Sequence, residues 1–545
     1  MRPWLLWLGP LHDPSGYSDE ARGFLRALEA AGAQPAAMAG GGLTTSAGLT
    51  PHDAAMLDRQ LGRSVLRPAV AVHHYLPDPG QPAIEGAVNV ARVMFESDSV
   101  PAGWVPWLNL RDEVWVPTEF NIETFAQAGV AEEKLRVLNG TLDFDLFAPG
   151  VPPLDLGLPE DSFVFVTNFD FSERKGWTQL IRAWARAFAP TDPVCLVLKT
   201  GSYWQGDSEV RERIQQFMSE EGGSERLAPI KILTGTLDSA SLPGLYASAD
   251  AYVLASRGEG WGRPYMEAMA MGLPTIASRW SGNLEFMNDG NSFLVDGELV
   301  PVPDDADLIN DLYRGHRWFE PDVDALADTM RRVAGDPGAA RKVAAGAREQ
   351  LIAQLGPAAT AARIGELADG AVNSPGSRVR RPDRAEARGL CGIEEARAIA
   401  VLAFADELVE RPALLRAYGE RFGSADDVTL VIYSPGSDPA ALEPELFAAA
   451  AAAGLDGDDS ADLLALPLGK PVDDDRLLAA SVEASLSERT PAWAFGALPR
   501  FGDSEIGALR SYAERVLTDP SDLSRTVADC RIDGVTGNQP SAEAA

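Results

Sequence analysis

The amino-acid sequence predicts an α/β protein in which two Rossmann-like doubly wound units face a cleft and a smaller α/β unit follows. Three observations lead there. Short apolar runs alternate with amphipathic segments along most of the chain. Pro/Gly-marked stretches interrupt that alternation near residue 150 and over 371–389. A length of 545 residues exceeds what one core organises and fits roughly three domains.

The elements follow in order. "PWLLWLG" reads as a buried strand, and "PSGYSDEARGFLRALEAAG" as a loop and an amphipathic helix stopped at Gly32. "PAVAVHHY", "NVARVMFE" and "DEVWVPT" are strand-like, and "TEFNIETFAQAG" begins as a capped helix and ends on glycine. The first unit spans 1–150 and ends at the linker "LFAPGVPPLDLGLPED". The second, 151–370, repeats the rhythm: strands "DSFVFVTNFD", "PVCLVLKT", "IKILTG", "AYVLAS" and "PTIAS", and helices "GWTQLIRAWARAFA" and "SLPGLYASAD". "GNSFLV" and the helices "DVDALADTMRRVAG" and "GAARKVAAGAREQLIAQLG" close it. Residues 371–389 form a polar, basic linker, read as a solvated tether rather than a polyanion site. An accessory unit, 390–535, contains "VTLVIYSPG", "PELFAAAAAAGL", "ADLLALPLG" and the amphipathic "SEIGALRSYAERVL". A polar tail, 536–545, is expected to be disordered.

Composition narrows the function. A hydrophobic fraction of 46% and a charged fraction of 23% are those of a soluble globular protein. The formal charge of −33 repels nucleic acid and anionic lipid, so an anionic ligand needs a local cluster of basic groups. Cys195, Cys391 and Cys530 are far apart in sequence, which argues against a disulfide framework and a zinc site. The N-terminal apolar run is short and lacks a small-residue cleavage site, which favours a first strand over a signal peptide. No stretch approaches the ~18 apolar residues of a membrane span. A cytoplasmic protein without stable membrane insertion is the expectation.

The stretch "RGEGWGRPYMEAMAMG", residues 257–272, carries the sharpest signal. It follows a strand, turns on glycines, has Pro264 at a helix start, and ends at Gly272. Glycines let backbone N–H groups approach a ligand, and the helix start favours an anion. Glu259 falls in the loop and Glu267 in what reads as the first helical turn, where the dipole should depress its pKa. That argues against the two as acid and base of a glycoside hydrolase. The absence of Gly-x-Gly-x-x-Gly after the first strand disfavours a dinucleotide dehydrogenase.

The run "GEGWGRPYMEAMAMGLPTIAS", with "LTGTLDSASLPGLYASADAYVLAS" before it, resembles the donor-binding signature of retaining glycosyltransferases of the GT-B type, glycosyltransferase family 4. The resemblance covers about residues 1–370. It implies that Glu267 holds the donor ribose and Glu259 the hydroxyls of the transferred sugar, with amides of Gly260, Trp261 and Gly262 completing the cradle. Thr236 and Leu237 fall in the part of the pattern that lies near the donor. "NFDFSERKGW" is similar to the family's basic loop, which implies that Arg174 and Lys175 neutralise the diphosphate. Here the chain departs from the pattern, since Phe169 stands where the family has an earlier arginine. Arg263 and Lys199 are further donor-side candidates, or members of structural ion pairs.

On the acceptor side, Gly16 and Tyr17 look like the family's first glycine loop, with Ser18 as a possible helix cap. His73 and His74 end a strand at the cleft edge, either lining the acceptor pocket or hydrogen-bonded in the interior. Glu96 stands where many members have a histidine. Its roles include stabilising oxocarbenium charge, accepting a proton, and only orienting a hydroxyl; Asp98 is a weaker neighbour. The resemblance implies transfer from a nucleoside diphosphate-sugar to a glycan, lipid-linked or small-molecule hydroxyl, with retention and without metal or other cofactor. A non-catalytic sugar-nucleotide-binding or scaffold protein is the alternative.

Overall fold

The apolar runs become strands of three open parallel sheets. The computed structural model describes residues 5–374 and 388–518, except 41–48, 62, 64–67, 78–81, 85, 159–160, 203–204, 236, 238–240, 304–305, 307–310, 390, 435–437, 458, 469–477, 480 and 490–497. Most of the basic linker, the polar tail, Cys530 and Thr236 therefore lie outside the described residues.

The first sheet contains β1 (Leu5–Gly9), β2 (Ala36–Ala39), β3 (Val70–His73), β4 (Val88–Arg92), β5 (Glu113–Val116) and β6 (Leu135–Val137), in the order β2-β1-β3-β4-β5-β6. All pairings are parallel. The central strands are buried along their whole length, so they read as continuous apolar runs. Helix Gly16–Ala30 starts where the Ser15 hydroxyl accepts the Ser18 N–H. Ser15 is thus the cap, and Ser18 instead donates its hydroxyl to Asp13 at 2.7 Å.

The second sheet contains β7 (Phe163–Asp170), β8 (Val194–Gly201), β9 (Ile230–Thr234), β10 (Ala251–Leu254), β11 (Thr275–Ser278) and β12 (Phe293–Val295), in the order β12-β11-β10-β7-β8-β9. The order reverses between β7 and β10, which opens a crevice beyond their carboxyl ends. An antiparallel hairpin, β13 (Gly297–Pro301) and β14 (Arg317–Pro321), then leaves the sheet, where sequence reading had no strand.

The third sheet contains β15 (Ile399–Phe404), β16 (Val428–Tyr433), β17 (Asp462–Ala465), β18 (Ala484–Leu486) and β19 (Arg500–Phe501), in the order β17-β16-β15-β18-β19, all parallel. It is therefore Rossmann-like in its own right.

Helix Pro357–Asn373 follows the second unit in sequence but packs against helix Gly16–Ala30 of the first. Its Ile364, Leu367, Ala368 and Ala371 share a core with Trp7, Phe24 and Leu28, and that core continues to Ile393, Leu402 and Tyr433 of the third unit. The chain thus crosses back, and the third unit is built onto the first through this helix.

Candidate functional site

The loops after β7 and β10 meet at the switch point. After β7 the chain forms a short turn, Glu173–Lys175, and passes through Gly176 at φ 61° into helix Trp177–Ala187. A Cβ at Gly176 would overlap the Ala255 carbonyl, so only glycine lets the two loops approach this closely. The Arg257 N–H donates to the Arg174 carbonyl at 2.7 Å. This packing fixes Arg174 and Lys175 beside Glu259.

Lys175 Nζ donates to Glu259 Oε1 at 2.6 Å, and the Ser256 hydroxyl donates to the same oxygen at 2.7 Å. The Glu259 N–H donates to Ser281 Oγ at 2.9 Å. Burial pushes the Glu259 carboxyl upward, but Lys175 and Arg174 outweigh it and hold the pKa below its ordinary value. Burial pushes Lys175 down despite Glu259. Arg174 donates to the Gly258 carbonyl at 2.6 Å and approaches Glu96 Oε1, on the opposite unit, at 3.4 Å. Two cations and two carboxylates from both sides of the cleft therefore form one cluster.

Glu267 stands one turn deeper than the sequence indicates. Helix Arg263–Ala270 begins after Gly262, at φ 94°, which places Glu267 in the second turn. The depressed pKa expected there is not found: burial raises Glu267 to about 7, against Arg263 and the Tyr246 hydroxyl, which lower it. Removal from water outweighs a dipole that fades within the first turn. The Tyr246 hydroxyl donates to Glu267 Oε2 at 2.6 Å, and Arg263 lies 3.7 Å from Oε1.

Arg263 reaches across the cleft, donating to Asp19 and, at 3.1 Å, to the Thr141 carbonyl. Asp19 is half-buried; partial removal from water raises its pKa, but Arg263, Arg22 and Arg26 bring it down to about 2. Gly16 lies against Arg263 at the start of the same helix. The Tyr17 hydroxyl donates to the Met94 carbonyl at 3.5 Å.

The remaining candidates are placed as follows. His74 is buried, with Nδ1 accepting from the Trp7 indole at 3.2 Å and Nε2 3.1 Å from Glu20. His73 faces Asn89 at 2.9 Å, and burial lowers its pKa to about 4, so it is a neutral interior group. Asp98 pairs with the Arg317 backbone N–H and guanidinium at 2.7 and 2.8 Å. Lys199, 7% exposed, is pushed down by burial, with Asp207 and Asp170 opposing. The Trp261 indole is buried against Phe286 and Gly140, which leaves its backbone as the group available in the loop. Leu237 is half-buried against the second unit's core.

Sequence reading missed Asp19, Tyr246, Ser281 and Tyr313, whose contacts span long sequence distances. One signal was present for Tyr313. The connection from "GNSFLV" to "DVDALADTM" is far longer than the ~2–6 residues usual between a strand and a helix of such a unit.

The fold and site define a GT-B-type protein, with two Rossmann-like units whose carboxyl-end loops meet across a cleft. Residues 160–316, within the second unit, match the family model described as Glycosyl transferases group 1. Over 204 residues the chain is 31% identical to the lipopolysaccharide core biosynthesis glycosyltransferase LpsD of Rhizobium meliloti, covering 37% of this chain and 48% of that protein. It is 26% identical over 277 residues to a GDP-mannose-dependent alpha-(1-6)-phosphatidylinositol monomannoside mannosyltransferase of Mycolicibacterium smegmatis, covering 48% and 63%. The chain spans about half the length of the curated relatives it matches. It is also similar to the solved structure of Anabaena HepE in complex with UDP and glucose, with 16% identity, a TM-score of 0.49, and coverage of 67% of this chain and 99% of that one. Among the described residues no group of three or more His, Cys, Asp or Glu is placed to hold a metal ion, and no helix is long and apolar enough to cross a membrane.

Proposed function

We propose that the protein is a retaining glycosyltransferase of family 4 that moves a sugar from a nucleoside diphosphate-sugar to an acceptor hydroxyl. The observation that carries this reading is the convergence of Arg174 and Lys175 on Glu259 at the switch point, with Glu96 facing them from the other unit. A diphosphate leaving group gains charge as its bond to the sugar breaks, and preorganised cations at that spot lower the barrier. Glu259 accepts hydrogen bonds from the transferred sugar, and Glu267 from the ribose. Amides of Gly260–Gly262 complete the donor grip. Glu96 stabilises the positive charge that develops at the anomeric carbon. The leaving phosphate takes the acceptor proton on the same face, so neither a protein nucleophile nor a metal is required. The names of the relatives support a glycan or lipid-linked acceptor.

The test is a panel of UDP- and GDP-sugars, read by thermal stabilisation and by slow donor hydrolysis. One donor is expected to stabilise the protein and to be hydrolysed. Lys175→Ala and Glu267→Ala should lose that turnover. Normal donor affinity and turnover in both variants would overturn the site assignment. Tight binding with no turnover in any assay would favour the non-catalytic sugar-nucleotide-binding reading.

A further inference from the structure

The hairpin of β13 and β14 does more than extend the second unit. Its base is fixed to the Glu259 loop: the Phe319 N–H donates to the Arg257 carbonyl at 2.9 Å, and Arg257 pairs with Glu320 at 2.8 Å. The Arg257 guanidinium also lies over the Trp318 ring at 4.6 Å. Its far end holds the loop after β4 in the opposite unit. Ser97 Oγ bonds His316 Nδ1 at 2.7 Å, Arg317 pairs with Asp98 at 2.8 Å, and Tyr313 stacks on Phe95 at 4.9 Å between centroids. The Tyr313 hydroxyl donates to Glu96 Oε2 at 2.9 Å, while Arg174 faces the other oxygen, Oε1.

We infer that this hairpin is a strap across the cleft and that Tyr313 is a positioning residue, which orients Glu96 toward the reacting carbon while Arg174 holds its second oxygen. A carboxylate held at one oxygen swings about its side-chain torsions. Held at both, it presents one set of lone pairs to the cleft, and catalysis by fixed charge depends on such prior orientation. Burial and Glu96 keep the Tyr313 phenol protonated, so it stays a donor. The ring stack on Phe95 sets the hydroxyl's reach independently of the hydrogen bond. Through its base the strap also ties the placement of Glu96 to that of Glu259.

The inference rests on the glycosyl-transfer reading, and its test separates the two. Tyr313→Phe keeps the stack and removes the hydroxyl; Tyr313→Leu removes both. Donor hydrolysis of the UDP- or GDP-sugar found for the wild type is measured with the full chain, as kcat and KM, beside binding of the free nucleoside diphosphate. A lost hydrogen bond to a charged group is expected to lower kcat about ten-fold in Tyr313→Phe, with donor KM and nucleotide binding within about two-fold of wild type. In a double-mutant cycle, Glu96→Gln and Tyr313→Phe should be strongly non-additive in kcat. Unchanged kcat in Tyr313→Phe, with Glu267→Ala inactive, overturns the positioning role and leaves the function standing. Equal loss in Tyr313→Phe and Tyr313→Leu through a fall in folding temperature, with kcat per folded molecule unchanged, makes the contact structural only and also overturns it. A wild type that neither binds nor hydrolyses any donor overturns the transfer reading and this inference with it.

Discussion

The second and third sheets share a layout, each with its first strand beside its fourth, yet their switch points are filled differently. In the second, the loops after β7 and β10 present Arg174, Lys175 and Glu259 to the cleft. In the third, the loops after β15 and β18 are joined by the chain itself. Glu407 accepts from the Ser487 hydroxyl at 2.6 Å and from the N–H groups of Glu488 and Arg489 at 2.8 and 3.2 Å. Arg489 in turn donates to Asp406 at 2.6 Å. An internal carboxylate occupies the amides that an open crevice would offer an anionic ligand. The comparison teaches that strand order brings a crevice into being, while the loop side chains decide whether it takes a ligand.

The strongest way to break this comparison is to remove one charge from each crevice. Lys175→Ala is expected to lower donor turnover about 100-fold or more, the usual scale for one preorganised charge. Glu407→Ala should leave turnover unchanged and destabilise the protein by about 2 kcal/mol, because it strands the buried Ser487 hydroxyl and two partly buried N–H groups. Donor hydrolysis and urea unfolding read the two effects separately. A comparable turnover loss from Glu407→Ala, per folded molecule, would make the third unit part of the site.

Glu267 sharpens the contrast through pH. Its folded pKa of about 7 lies above its ordinary 4.5, so the folded state binds the proton more tightly than the unfolded chain. The protonated form's stabilisation is complete below the ordinary value and is lost as pH rises through about 7. That amounts to about 3 kcal/mol at most. Glu267→Gln keeps an acceptor for Tyr246 and cannot ionise. It is expected to be more stable than the wild type above pH 7 and to bind nucleotide more weakly. Melting temperatures of both proteins at pH 5 and pH 8 check this: equal pH dependence in the two would mean that folding does not raise the Glu267 pKa.

What sequence made legible, and what it did not, follows from the range of the interactions. Local signals placed β7, β10 and the glycine loop between β10 and helix Arg263–Ala270, since apolar runs, glycines and a helix start are read within a few residues. Glu259, Arg174 and Lys175 came with them. β2, β6, β18 and β19 were missed because they are short and lack the flanking β-branched and aromatic run that marked the equally short β3, β5 and β10. The return of helix Pro357–Asn373 to the first unit depends on a partner more than three hundred residues earlier in the chain. Trp261 entered the sequence reading for its backbone amide, and only tertiary packing reveals that its indole fills the space beside Gly140. The raised pKa of Glu267 was illegible for the same reason, being a property of burial and not of helix position.

The smallest effect concerns Ser281, which supports the Glu259 loop and has no counterpart among the described residues of the third unit. It is the only non-glycine residue with positive φ among those described, and its φ of 75° with ψ of −157° falls in a region reserved almost wholly for glycine. Such a conformation costs about 1–3 kcal/mol, and it is held here because the Ser281 hydroxyl accepts the Glu259 N–H at 2.9 Å. Ser281→Ala keeps the strain and removes the acceptor, so it should destabilise by about 1 kcal/mol and loosen Glu259. Ser281→Gly removes both, so its stability should stay within about 1 kcal/mol of wild type, while turnover falls as in the alanine variant. The difference in unfolding free energy between the two variants measures the strain less the ~0.4–1 kcal/mol that glycine's freer unfolded chain costs. If alanine were the more stable by about that margin, the backbone at 281 would be unstrained, and serine would be there for its hydrogen bond alone.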